Sequence, residues 1–175
     1  MAALVAATRA QGFPASVEVV IAPNAESPAL GVADSLGVKT VVVPYGDGYG
    51  SRLLEAMAGC DWLCLAGFLR VVPAEVLRHF GGRALNIHPS LLPKHGGKGM
   101  YGHFVHEAVI AAGDTESGCT VHYVNEVYDD GAPLLQARCP VLPDDTPDTL
   151  AARVLKLEHE TYPAALRKGI DERGA

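Results

Sequence analysis

The sequence is short of positive charge. Fourteen lysines and arginines stand against twenty aspartates and glutamates, a net charge of −6, so no basic excess is available to neutralise a nucleic-acid backbone or an anionic membrane. A small molecule is the partner this balance favours. Any phosphate on it must be gripped by local backbone amides and a few side chains. Long apolar runs are missing too. No stretch reaches the ~18 residues that cross a bilayer, and the start, Met1-Ala-Ala-Leu-Val-Ala-Ala-Thr-Arg9, has no basic leader ahead of an apolar segment. A cytoplasmic protein without membrane contact is expected. The four cysteines, Cys60, Cys64, Cys119 and Cys139, form no C-x-x-C pair and lie in apolar, strand-like surroundings. That disfavours a disulfide framework and a zinc site, and points to core thiols. Internal repeats and low-complexity linkers are absent.

What is present suits one folded domain. A chain of 175 residues that is 49% hydrophobic and 19% charged has enough apolar material for a continuous core and lies far from the composition of disorder. Short β-branched runs at 17–22, 38–43, 62–66 and 83–87 alternate with helix-compatible stretches, which is a βαβ pattern. Runs such as Thr40-Val-Val-Val43 are apolar throughout, as strands covered on both faces are. Pro73 opens a crossover helix and Gly81-Gly82 ends it. Further on, a helix is expected at 103–112, then strands at 118–124 and 134–138 whose short connection allows an antiparallel pair. A final helix starts near Thr146-Pro147-Asp148 and runs through Leu150, Val154, Leu157 and Tyr162. Residues 1–11 read as an Ala-rich helix with no N-cap and no strand before it.

The chemistry concentrates in Leu85-Asn-Ile-His-Pro-Ser-Leu-Leu-Pro93, where a buried strand releases the chain into a loop. Ligands of open α/β sheets gather at such strand ends. Period-two geometry puts Asn86 and His88 on one face. An amide donor and an imidazole at one point can stabilise the charge that builds on a carbonyl oxygen during acyl transfer, and a nearby carboxylate would favour the imidazolium. Asp129, beside the turn-forming Gly131, is the candidate carboxylate, with Asp130 as its rival. The run 96–102, Gly-Gly-Lys-Gly-Met-Tyr-Gly, lacks the order of a P-loop and reads as a rim that admits substrate. His103 and His106 have no third ligand at a metal-binding spacing, so no metal is expected.

Taken together, Asn-x-His-Pro-Ser-Leu-Leu-Pro and the later Asp-Asp-Gly turn resemble the folate-dependent formyltransferases. The similarity runs through Leu65-Ala-Gly-Phe-Leu-Arg-Val-Val72, Gly118-Cys-Thr-Val-His-Tyr-Val124 and the segment 153–162. It implies the formyltransferase fold: α/β and Rossmann-like, an open and mostly parallel sheet with helices on both faces and an antiparallel C-terminal strand pair. It also implies transfer of a formyl group from 10-formyltetrahydrofolate, as cosubstrate, to the amine of glycinamide ribonucleotide in purine biosynthesis. Asn86 and His88 fall on the family's catalytic asparagine and general-acid histidine. Asp129, favoured over Asp130 by its spacing from His122, falls on the carboxylate that supports the histidine. Leu69, Arg70, Val71 and Val72, with Asn86, match the folate-binding segment, and Glu158 matches an acid that contacts the ribonucleotide. For His122 the resemblance suggests a supporting role. Arg52 has an ambiguous register against a folate-contacting arginine.

Family members open with a strand and a Gly-x-Gly-Ser-Asn phosphate turn, whereas the resemblance here begins inside the first helix. The expectation is a single formyltransferase domain over 1–175 that is N-terminally incomplete, a monomer or homodimer, and weakly active or inactive for lack of its phosphate grip. A formyltetrahydrofolate hydrolase, a formyltransferase acting on initiator methionyl-tRNA, and a noncatalytic folate-binding relic are the competing readings.

Overall fold

A computed structural model describes residues 1–174. In chain order the elements are α1 (Ala2–Thr8), β1 (Val19–Ala22), α2 (Pro28–Ser35), β2 (Lys39–Val42), α3 (Tyr49–Ala56), β3 (Leu63–Leu65), α4 (Ala74–Phe80), β4 (Ala84–His88), α5 (His103–Ala111), β5 (Glu116–Tyr123), β6 (Pro133–Pro140) and α6 (Pro147–Arg173). Pro73 caps α4 and Gly81 ends it in the left-handed region at φ 58°, a conformation that costs glycine nothing. The long α6 begins with a reciprocal capping box between Thr146 and Thr149. A bidentate ion pair from Arg153 to Asp145, at 2.5 and 2.8 Å, ties its first turns to the preceding loop.

Strands β1 and β2 pair in parallel as one sheet, and a second sheet has the order β3-β4-β5-β6. In it β3 and β4 are parallel, while β5 runs antiparallel to β4 and to β6. The α/β architecture with an antiparallel C-terminal pair is therefore as the sequence implies. The two sheets share a core rather than hydrogen bonds: Ile21 and Val41 pack with Leu65, Val76 and Phe80 under α3 and α4. On the short strand β3, Leu63 and Leu65 face that core, whereas Cys64 faces the core of α1 and α6. Alternate residues of one strand thus meet different helix layers, which is why its sequence is apolar throughout.

Pairing register decides what the larger sheet shows on each side. Leu85 and Ile87 lie opposite Tyr123 and Val121, while Asn86 and His88 lie opposite His122 and Thr120. Because directly paired residues share a face, the sheet has an apolar side and a polar side. The apolar side carries Leu85, Val121, Cys119 and Cys139 against Tyr162, Leu166, Leu150 and Val154 of α6. The polar side carries Asn86, His88, Thr120 and His122, of which the last three are buried.

Tyr162 locks α6 onto the sheet, its buried hydroxyl lying 2.8 Å from the carbonyl oxygen of Leu65 and 3.0 Å from that of Leu85. Tyr162→Phe keeps the ring packing and removes this buried hydrogen bond, so urea denaturation is expected to show a loss of ~0.5–1.5 kcal/mol. An unchanged unfolding midpoint would show that the hydroxyl contributes nothing.

Candidate functional site

The site is built where the polar face of β4 and β5 meets two loops. Asn86 and His122 are cross-strand partners, and Asn86 Nδ2 lies 3.1 Å from His122 Nε2. His122 Nδ1 is 2.9 Å from the Tyr123 carbonyl oxygen. A carbonyl can only accept, so Nδ1 carries the proton and Nε2 accepts from the Asn86 amide.

Asp129 reaches this cluster from the connection between β5 and β6. Gly131 lets that connection lie on the sheet, because a Cβ there would stand 1.7 Å from the Tyr123 carbonyl oxygen. Asp129 itself has φ 53°, in a left-handed region that aspartate tolerates better than most residues. Its Oδ2 accepts the Gly97 backbone amide at 3.0 Å and lies 3.4 Å from His88 Nδ1, while its Oδ1 lies 3.6 Å from His122 Nε2. Asp130 turns away to accept from Asn125 Nδ2 at 3.1 Å. Of the two adjacent carboxylates, Asp129 faces the histidines.

His88, only 3% exposed, has an acceptor beside each ring nitrogen: Asp129 at Nδ1 and the His95 carbonyl oxygen 2.8 Å from Nε2. Two acceptors favour the doubly protonated ring. Burial works the other way and is the larger effect, so the imidazole sits below the ordinary histidine range, with Asp129 and the His95 carbonyl opposing the shift. Burial pushes the Asp129 carboxyl up. The neighbouring His122 and His88 rings and the Gly97 amide nevertheless hold it below the usual carboxylate range.

Beside this cluster opens a shallow cleft. Asn86, His122 and Asp129 form its polar wall, Phe68, Val71, Val72 and Val124 line it with apolar surface, and Arg70 borders it with its guanidinium 3.9 Å from the centre of the Tyr45 ring. His88 stands behind the wall. Leu69 is 55% exposed and does not line the cleft, and neither does Glu158 on α6. Burial raises the Glu158 carboxyl. Arg52 bonds the carbonyls of Asp47 and Pro44 at the start of α3 and is likewise not among the lining residues. His103 pairs with Glu107 and Asp148, each at 3.2 Å. Among the described residues, no group of three or more His, Cys, Asp or Glu side chains is arranged to hold a metal ion, and no helix is long and apolar enough to cross a membrane.

A profile described as formyl transferase matches residues 51–166, which takes in β3 to β6 and all four residues of the cluster. The chain belongs to the formyl transferase family. One formyl transferase relative with a solved structure is the phosphoribosylglycinamide formyltransferase of Brucella melitensis, 41% identical with a TM-score of 0.86 over 95% of this chain and 86% of that one. The trifunctional purine biosynthetic protein adenosine-3 of Drosophila melanogaster is 42% identical over 94% of this chain. The chloroplastic phosphoribosylglycinamide formyltransferase of Arabidopsis thaliana is 45% identical over 74% of it. The chain spans 12% of the fly protein and 47% of the plant protein.

Within this formyl transferase fold the sequence reading gave His122 less weight than its place between Asn86 and Asp129 deserves. The missed signal was parity: once β4 and β5 pair, Asn86 must face His122. The Gly97 amide on Asp129 had no signal in the sequence, since it depends on how two loops meet.

The buried histidines set a pH response. His88 and His106 are both held below their ordinary value by burial, so each is more easily protonated in the unfolded chain. Their contribution to stability is full above pH ~6.5 and is lost as pH falls through the folded-state titrations. Urea midpoints should therefore fall between pH 8 and pH 5, with a shallower slope in His106→Leu. Equal midpoints across that range would contradict the burial argument.

Proposed function

We propose that this protein transfers the formyl group of 10-formyltetrahydrofolate to the amine of glycinamide ribonucleotide. The observation that carries the reading is one carboxylate, Asp129, within 3.6 Å of two histidines behind the amide of Asn86, on the wall of a cleft with an apolar side. Membership of the formyl transferase family and the similarity to enzymes named phosphoribosylglycinamide formyltransferase support it.

On this reading the pterin lies along the segment of Leu69, Arg70, Val71 and Val72, held by backbone groups and by the apolar side chains of the two valines, while Glu158 contacts the ribonucleotide. The amine nitrogen attacks the formyl carbon, forming a C–N bond and moving the carbonyl π electrons onto oxygen. Asn86, on the cleft wall, donates to that oxyanion, and His88 behind it acts on it through charge. The new negative charge favours the imidazolium that burial otherwise resists, so His88 interacts more strongly with the transition state than with the ground state. Collapse breaks the bond from the formyl carbon to the folate nitrogen. That nitrogen keeps the electron pair and receives the proton lost by the amine, through water ordered by Asp129. Tetrahydrofolate and the formylated amide leave. The reaction uses no metal, and the same reading has a monomer or homodimer working in the cytoplasm on small molecules.

Two measurements decide this. His88→Ala should lower turnover ~10²- to 10⁴-fold, and undiminished turnover would remove His88 from the chemistry. Isothermal titration should show binding of a folate analogue and of glycinamide ribonucleotide; folate binding with no response to the nucleotide would mark a binding protein instead.

A further inference from the structure

The acceptor that holds His88 Nε2 is itself held by side chains outside the cluster. The His95 carbonyl belongs to a residue in the left-handed region, at φ 53°. Its side chain is held by Asp114, in the turn after α5. Its Oδ2 lies 2.8 Å from His95 Nε2, and its Oδ1 accepts from Lys94 Nζ at 2.8 Å. Ser90 adds a third tie, its hydroxyl donating to the Lys94 carbonyl at 2.6 Å. One carboxylate thus grips two successive side chains of the loop that returns to His88. The Lys94 side chain is largely exposed, so that arm is the weaker one. The His95 arm, with both partners mostly covered, is the one that fixes the loop.

We propose that Asp114 is a positioning residue for His88, acting through His95. It clamps the His95 ring so that the His95 carbonyl accepts from His88 Nε2, which fixes the ring's orientation and presents Nδ1 to Asp129. The groups facing His88 are Asp129 and His122 from the β5–β6 side, His95 from its own loop, and His106 from α5. Of these, Asp129 and the His95 carbonyl are the two that favour the charged ring. Releasing the carbonyl leaves burial less opposed, and the ring titrates at lower pH. Formyl transfer matters here only for the consequence in rate, so a readout of the ring itself keeps the two ideas separable.

The test follows the His88 ring by nitrogen-edited NMR across pH in wild type, Asp114→Ala, Asp114→Asn, His95→Asn and the double variant Asp114→Ala/His95→Asn. Asparagine at 95 suits the left-handed backbone but does not reach Asp114. Asp114→Ala and His95→Asn should each move the His88 titration to lower pH, and the double variant should move it no further than either. Asp114→Asn keeps an acceptor for His95 and should stay close to wild type. Turnover at pH 7.5 should fall in the shifted variants, with KM for the folate unchanged. If Asp114→Ala fails to fold, His95→Asn carries the test. A folded His95→Asn or Asp114→Ala whose His88 titration matches wild type overturns the proposal. A wild-type protein with no transfer activity would remove the functional reading and leave the NMR comparison standing.

Discussion

A carboxylate held in a mostly covered site between two histidines is the constraint on which the rest of this structure turns. Taking such a charge out of water costs several kcal/mol unless opposite charge and hydrogen bonds replace the lost hydration. Asp129 accepts the Gly97 amide and has the rings of His88 and His122 within 3.6 Å to offset that cost. Each partner comes from a different part of the chain. The β5–β6 connection must bend through a left-handed residue and press against the strand at Gly131, and the loop after β4 must bring Gly97 within reach of a carboxylate 32 positions away. A Cβ at Gly96 would stand 2.5 Å from Leu92 Cδ2 and 3.3 Å from Asp129 Cβ, so a side chain there would displace both neighbours.

The same constraint explains the division of labour across the sheet. One side of β4 and β5 is covered by α6 and is apolar; the other is polar and covered by the loops that supply Asp129 and Gly97. Polar side chains on a sheet face need partners when water is excluded. Here those partners are also groups suited to chemistry at a carbonyl. Burial lowers the tendency of His88 to carry charge, and the flanking acceptors restore part of it.

Most of the fold was legible because its elements are strongly patterned. The apolar runs became β1 to β4 within two residues at either end, Pro73 and Gly81 bounded α4, and Thr146-Pro147 opened α6. The division of the strands between two sheets was not legible, because hydrogen-bonded adjacency is a tertiary property that no local pattern encodes. In the site, Asn86 and His88 could be placed on one face by period alone, and the structure brings Asp129 to them while Asp130 pairs with Asn125. The central place of His122 needed the β4–β5 register. The grip of Asp114 on Lys94 and His95 links segments some twenty residues apart in a loop of irregular backbone, where neither period-two nor helical spacing applies.

The pairing of His88 with Asp129 can be tested without substrate. Asp129→Asn preserves size and suits the left-handed backbone while removing the charge, so the His88 ring, followed by NMR across pH, should titrate at clearly lower pH than in the native protein. A folded Asp129→Asn protein with an unaltered His88 titration would mean that the carboxylate does not act on the imidazole, and the account of the site would fail with it.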